Sequence, residues 1–186
     1  MGEIVPALPV KLFCGMLAAD PDVMLRAGNA LTRLYGDLDW ESDLMAFDFT
    51  DYYEDEMGTG LQRKFVSFAT LIDPGKLAEV KIRTNGLEQE LARDAGGRRR
   101  RRINLDPGYV DASRLVLATT KNVAHRIYLG QGIYAEVTLT FRKNGCAYFD
   151  WTYPDYRSDR YADCLREIRR RYQDQVSRSA EPGHRD

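Results

Sequence analysis

Cysteine is scarce in this chain. The three in 186 residues, Cys14, Cys146 and Cys164, lie far apart with no CxxC pair. That spacing argues against a disulfide framework or a cysteine zinc site and fits reduced thiols in a cytoplasmic protein. Long hydrophobic runs are also lacking: none approaches the roughly 20 apolar residues of a membrane helix. The N-terminus has no basic stretch leading into an apolar one, so export is not expected. Met1-Gly2 opens like a myristoylation start, but Pro6 stands where Ser or Thr is needed. Charge of one sign is missing too. The 27 Lys and Arg nearly cancel the 28 Asp and Glu, so global charge drives no binding to nucleic acid or membrane. There is no GxxxxGK[ST] loop to wrap phosphates, and no Ser/His/Asp or Cys/His signature for covalent catalysis.

What is present is ordinary globular composition, 44% hydrophobic and 30% charged. The length suits one domain, over residues 8–176, with flexible termini at 1–7 and 177–186. Val10 to Leu17 (VKLFCGML) is almost continuously apolar, as a strand buried on both faces would be. Asp20-Pro21 supplies an N-cap followed by proline at the first helical position. Met24, Ala27, Leu31 and Leu34 then recur at helical spacing before Gly36. Leu44 to Thr50 alternates as a half-buried strand does, and Leu61 to Ile72 forms another strand. Asp73-Pro74 repeats the cap device for a helix carrying Leu77, Val80, Leu87 and Leu91, ended by Gly96-Gly97. A strand at Ile103 to Leu105 would complete a split βαβ unit. The expected fold is α+β: a ferredoxin-like first half, an antiparallel extension and a C-terminal helix.

The extension rests on Arg114 to Thr119, Arg126 to Leu129, the Gly130-Gln131-Gly132 turn and Ile133 to Arg142. In the last, Ile133, Ala135, Val137, Leu139 and Phe141 are expected to face a core and Tyr134, Glu136, Thr138, Thr140 and Arg142 to face away. Asn144-Gly145 signals a type I′ hairpin. Ser158 caps a final helix with Tyr161, Cys164, Ile168, Tyr172 and Val176 on its apolar stripe.

Reactive side chains crowd the segments between these strands. Asp48, followed by Thr50, Asp51 and three further acids, offers oxygen ligands for Mg²⁺ or Mn²⁺, or is a solvated acidic turn. Asp106, in Asp-Pro-Gly, is either part of a local turn or a carboxylate at a strand end, serving as metal ligand or general base. Thr120, Lys121 and Arg126 suit an anion pocket. His125 is the single histidine outside the C-terminal tail, and imidazole is the usual proton carrier at neutral pH. Glu136 is surface if its strand face is open, and a functional acid if that face is covered. Trp151 and Tyr153 are placed to stack a flat ligand, with Asp155 and Arg157 either bonding its edge or pairing locally. The arginines from Arg98 to Arg102 offer RNA phosphates a contact, or form a solvated loop.

The ordered motifs VKLF.GML, FDFTDYYEDEMG, LQRKFVSF, INLDPGY, LATTK…HRIYL, GIYAEVTL and WTYPDYR resemble the bacterial family domain of unknown function 4416, over about Val10 to Val176. The resemblance implies a shared fold and leaves function undefined. Some members carry a GTP-binding label. Here Thr120-Lys121 echoes a guanine-recognition [NT]KxD element, but Val123 holds the position of its aspartate.

The leading expectation is a phosphorylated or nucleotide-like ligand in a polar cleft, with metal-assisted hydrolysis or phosphoryl transfer as its extension. On that reading Asp106, His125 and Glu136 are the catalytic candidates, and Asp48 and Asp106 the metal candidates. Thr120, Lys121, Arg126, Tyr153, Asp155 and Arg157 would bind the ligand. The alternative is a non-enzymatic RNA-binding or protein-interaction module.

Overall fold

The computed structural model describes residues 2–143 and 145–180. Eleven strands and four α-helices follow in order: β1 (Val10–Ala18), α1 (Pro21–Tyr35), β2 (Leu38–Glu41), β3 (Met45–Ala46), α2 (Glu54–Met57), β4 (Gln62–Ile72), α3 (Leu77–Glu90), β5 (Arg93–Ala95), β6 (Arg98–Arg100), β7 (Ile103–Val110), β8 (Arg114–Thr119), β9 (Ile127–Gly130), β10 (Ile133–Arg142), β11 (Gly145–Tyr148) and α4 (Asp159–Ala180). The fold is mixed α and β around a large antiparallel sheet ordered β11-β10-β8-β7-β1-β4-β2, with β3 on β4 and β9 on β10.

Strand β1 lies at the centre, and every residue in it is buried. Its two faces feed two cores, as its unbroken apolar run requires. Leu12, Cys14 and Met16 pack under α1 and α3, against Met24, Leu31, Val80 and Leu87. Phe13 packs on the other face with Phe65, Leu139, Tyr161 and Leu165, beneath α4. The sheet is therefore covered on both sides. The caps read from sequence are present: Asp20 accepts from Asp22 N–H and Asp73 from Gly75 N–H, while Ser158 accepts at the start of α4.

Four expectations change. The strand expected over Leu44 to Thr50 shrinks to β3, and the short β2 before it continues the pairing along β4. Helix α3 ends at Glu90, because Gly96-Gly97 is the turn of a two-stranded ribbon rather than a helix stop. The Asp-Pro-Gly segment is no turn; it runs inside β7, paired residue for residue with β1. Over its first half β7 is an edge, and α3 satisfies it: Lys81 Nζ donates to Leu105 O at 2.7 Å, and Leu105 N–H donates to Glu88 at 2.6 Å. Pro107, two residues on and so directed to the same edge, has no N–H to satisfy, which is where a sheet tolerates proline. Gly108 is required where β8 joins, since a Cβ there would lie 2.4 Å from Val116 O.

The fourth change concerns β10. A bulge between Val137 and Leu139 swaps its phase. Ile133, Ala135 and Val137 pack on the α3 side, but Leu139 and Phe141 join the core under α4. Glu136 and Thr138, expected to face away, are buried. Asn144 of the expected hairpin lies outside the described residues, and so does the tail from Glu181 onward; α4 itself runs past Ser177 to Ala180.

Candidate functional site

Directly paired residues of an antiparallel sheet project to the same side. Gly15 pairs with Asp106 and with Phe65, and Arg63 lies two residues from Phe65. Gly108 pairs with Leu117, which pairs with Glu136. Asp106, Arg63 and Glu136 thus share one face, the one that α4 covers further along. Two strand spacings and a two-residue offset put Asp106 and Glu136 about 12 Å apart.

The first half of this face centres on Arg63, a residue missed by sequence reading. Its guanidinium is almost fully enclosed, 5.5 Å from the centre of the Phe47 ring and near the Phe65 and Tyr161 rings. Nε donates to Tyr161 Oη at 3.2 Å, Nη1 to Asp106 Oδ2 at 2.9 Å, and Nη2 lies 3.6 Å from Asp155 Oδ2. Asn104 Nδ2 also donates to Asp106 Oδ2, at 2.8 Å. Both bonds to Asp106 end on one oxygen, and its side chain keeps 27% exposure, so the carboxylate reaches solvent. Tyr156 is buried beside this group, and among the described residues its hydroxyl has no hydrogen-bond partner. A buried hydroxyl without a partner is costly and rare.

Electrostatics separate the two carboxylates. Burial raises Asp106, but Arg63 and Lys81 outweigh it and hold the carboxyl below the ordinary range. Burial raises Asp155; Arg63 opposes the rise, Asp106 reinforces it, and the net shift is upward. The two acids meet different nitrogens of Arg63, and their environments push their affinities for a proton apart. Burial likewise pushes the Tyr161 phenol up to about 12.

The second half centres on Glu136, 2% exposed. Its Oε2 accepts from Arg126 Nε at 2.8 Å and lies 3.1 Å from His125 Nε2, while Oε1 accepts from Thr138 at 3.2 Å. Arg126 further donates to Lys121 O and to Tyr153 Oη, each at 3.0 Å. The His125 ring stacks on Trp151 at 5.0 Å, and Trp151 stacks on Phe149 at 4.7 Å. Trp151 and Thr152 also donate to the carbonyls of Val137 and Thr138, on the stretch of β10 between its pairings with β9 and β11. The WTYPDYR loop is thereby fixed to the sheet.

Two loops bridge the halves. The loop after β11 gives Tyr153 to one and Asp155 to the other. The segment before α2 places the Tyr52 ring under Lys121 Nζ at 4.9 Å and stacks Tyr52 edge-on with Tyr53 at 5.0 Å. Among the described residues Lys121 pairs with no carboxylate, unlike Arg63 and Arg126.

The sequence candidates divide accordingly. Asp106, His125, Glu136, Lys121, Arg126, Tyr153 and Asp155 lie on this face. Thr120 is exposed, and its neighbour Thr119 is the hydroxyl that meets Arg126, at 3.5 Å. Arg157 neither pairs with Asp155 nor faces the site; it donates to the carbonyls of Phe149, Asp150 and Thr152 and staples their loop. Asp48 is a surface residue bonded to Arg160 and shares no partner with Asp106. Among the described residues no group of three His, Cys, Asp or Glu is close enough to hold a metal. Arg101 and Arg102 of the arginine run are ion-paired, with Glu56 and Asp20. Arg63 was legible in principle: within β4 it shares a face with Phe65 and Ser67, an unusual position for an arginine.

The fold and site define an antiparallel α+β sheet protein carrying a paired acid–arginine face. The chain belongs to the family described as Domain of unknown function (DUF4416), whose model matches residues 8–172. No curated protein and no solved structure matches it significantly. Among the described residues no helix is long and apolar enough to cross a membrane.

Proposed function

We propose that the Asp106–Glu136 face binds a small phosphorylated or nucleotide-like ligand. The observation that carries this reading is the Asp106 carboxylate, which reaches solvent with Oδ1 unbonded, on a face where the Lys121 ammonium pairs with no carboxylate among the described residues. Lys121 would meet the phosphate, and the exposed Tyr52 and Tyr153 rings offer flat surfaces for a base or sugar. Asp106 Oδ1 and the Tyr156 hydroxyl would bond the ligand's polar groups. Hydrolysis or phosphoryl transfer with Mg²⁺ or Mn²⁺ extends the same reading, with Asp106 as ligand and phosphate oxygens completing the coordination. His125 and Glu136 would then carry the proton. The first-half strand order β7-β1-β4-β2, antiparallel throughout with α1 and α3 on one face, supports a ferredoxin-like split βαβ unit, extended by β8 to β11. Three unpaired cysteines favour a cytoplasmic setting.

Titration calorimetry with inorganic phosphate, nucleoside monophosphates and sugar phosphates, each with and without Mg²⁺, tests the binding reading. Lys121→Ala is expected to weaken a bound phosphate about tenfold or more. Absence of binding across the panel, or binding indifferent to Lys121→Ala and Asp106→Asn, would count against it.

A further inference from the structure

The opposite side of the molecule carries a second group of cations that this site does not use. A cleft of about 240 Å³ opens between α1 and the last turn of α3, lined by Arg26, Asn29, Arg33, Leu87, Glu90 and Leu91. Several surface arginines elsewhere are neutralised: Arg83 by Glu79, Arg114 by Asp111, Arg170 by Glu167. Arg26 and Arg33 form no ion pair among the described residues, and neither does Glu90, so cations outnumber acids in the cleft. The β5–β6 ribbon adjoins it. Arg93 follows α3 by a short link, and Arg99 donates to Gln89 O at 2.6 Å, fastening the ribbon to the helical turn that lines the cleft. Arg102, bonded to the α1 cap Asp20, fixes the ribbon's base. Arg98, Arg99 and Arg100 remain exposed along β6.

We infer that the α1–α3 cleft and the β5–β6 ribbon together form a binding track for single-stranded nucleic acid. Seven residue rises of helix from Arg26 to Arg33 and three of ribbon give a cationic path of roughly 20 Å. That length and spread match a flexible chain of regularly spaced phosphates. Guanidinium groups suit such phosphates because each offers several donors in a fixed fork. A bilayer surface is a poorer fit, since it cannot enter a cleft. The Leu87 and Leu91 wall admits the apolar face of a base, but no aromatic ring stands there to stack it, so binding is phosphate-led and indifferent to sequence. The net charge near zero is no obstacle, because Arg26, Arg33, Arg93, Arg98, Arg99 and Arg100 outnumber Glu90 and Asp94 here, and attraction between exposed charges acts only over about 10 Å at moderate salt.

Fluorescence anisotropy of the full chain with a labelled single-stranded RNA 12-mer, at several salt concentrations, tests this inference. The variants are Arg26→Ala/Arg33→Ala for the cleft and Arg98→Ala/Arg99→Ala for the ribbon. Arg142→Ala, an exposed arginine at the end of β10, is the charge control. Each double variant is expected to weaken binding about tenfold or more and to flatten the log K against log salt slope by about 1.4, or about 0.7 per phosphate contact. The control should change neither, and melting curves should show all variants folded. Three results would overturn the inference: no RNA binding at 50 mM salt, equal losses in the control, or capture by anionic lipid vesicles with none by RNA. The phosphate-ligand reading stands or falls separately, because it is measured on the other face with other residues.

Discussion

Two buried cations on adjacent strands of the same sheet do different things. Lys11 in β1 is fully enclosed, and its three donors meet three acceptors: Asp39 Oδ2, Phe68 O at 2.9 Å and Gln175 Oε1 at 2.6 Å. Asp39 uses its other oxygen on Ser67. Arg171 and Gln175 add bonds from α4 to Asp39 O and Ala69 O, both at 2.6 Å. This network is closed, and it pins the second half of α4 across the sheet. Arg63 in β4 is just as buried, yet around it Asp106 reaches solvent with an oxygen to spare and the Tyr156 hydroxyl goes unbonded. A buried polar group with every valence filled is scaffold. One with valences left open is, on the proposed reading, where a ligand would complete the set.

The largest effect expected from breaking this comparison is at the closed network. Lys11→Met leaves Asp39, Phe68 O and Gln175 without their donor and should cost about 3–5 kcal/mol, read from a urea melt. Adding Asp39→Leu removes the stranded charge and should recover much of that loss. Failure of the double variant to recover would mean that Lys11 does more than neutralise Asp39.

Next comes the pH response of the open cluster. Asp155 is raised in the folded state, so its ionisation costs stability once pH exceeds the unfolded value near 4, fully so above its folded value. Asp155→Asn should therefore stabilise the protein at pH 7 and make no such gain at pH 3. Asp106 is lowered, so its contribution is present at neutral pH and disappears as pH falls below about 4 through its folded value. Asp106→Asn should accordingly destabilise at pH 7, with the difference fading in acid. Stability curves of like slope for the two variants would contradict the separation of the pair.

The smallest change in stability belongs to Tyr156→Phe. Deleting an unbonded buried hydroxyl should leave the melting free energy within about 0.5 kcal/mol of wild type, or raise it. A loss of 1 kcal/mol or more would show that the hydroxyl already has a partner and that the cluster is closed.

Much of this molecule was legible in its sequence, and the exceptions have physical reasons. The unbroken apolar run of β1 predicted a strand buried on both faces, and the Asp-Pro pairs located both helix starts. Ile133 to Arg142 read as a strand, but alternation alone could not reveal the bulge at Thr138 that moves Leu139 and Phe141 onto the face of Glu136. INLDPGY reads as a turn by local propensity; Lys81 and Glu88, about 20 residues earlier, make it a strand by satisfying Leu105 from the side. Such non-local compensation leaves no local signal. The residues around Glu136 stand out as candidates in the sequence because reactive side chains crowd that stretch. Arg63 and Tyr156 were missed because only the folded sheet brings them to Asp106.

The central claim, that the open cluster is a ligand site and the closed one is scaffold, is tested most directly by amide chemical-shift mapping. The full chain would be titrated with nucleoside monophosphates and sugar phosphates, with and without Mg²⁺. Saturable shifts are expected at Asp106, Lys121, Arg126, Glu136, Tyr153 and Tyr156, with the surroundings of Lys11 and Asp39 silent. Shifts confined to the α1–α3 cleft, or none across the panel, would contradict it.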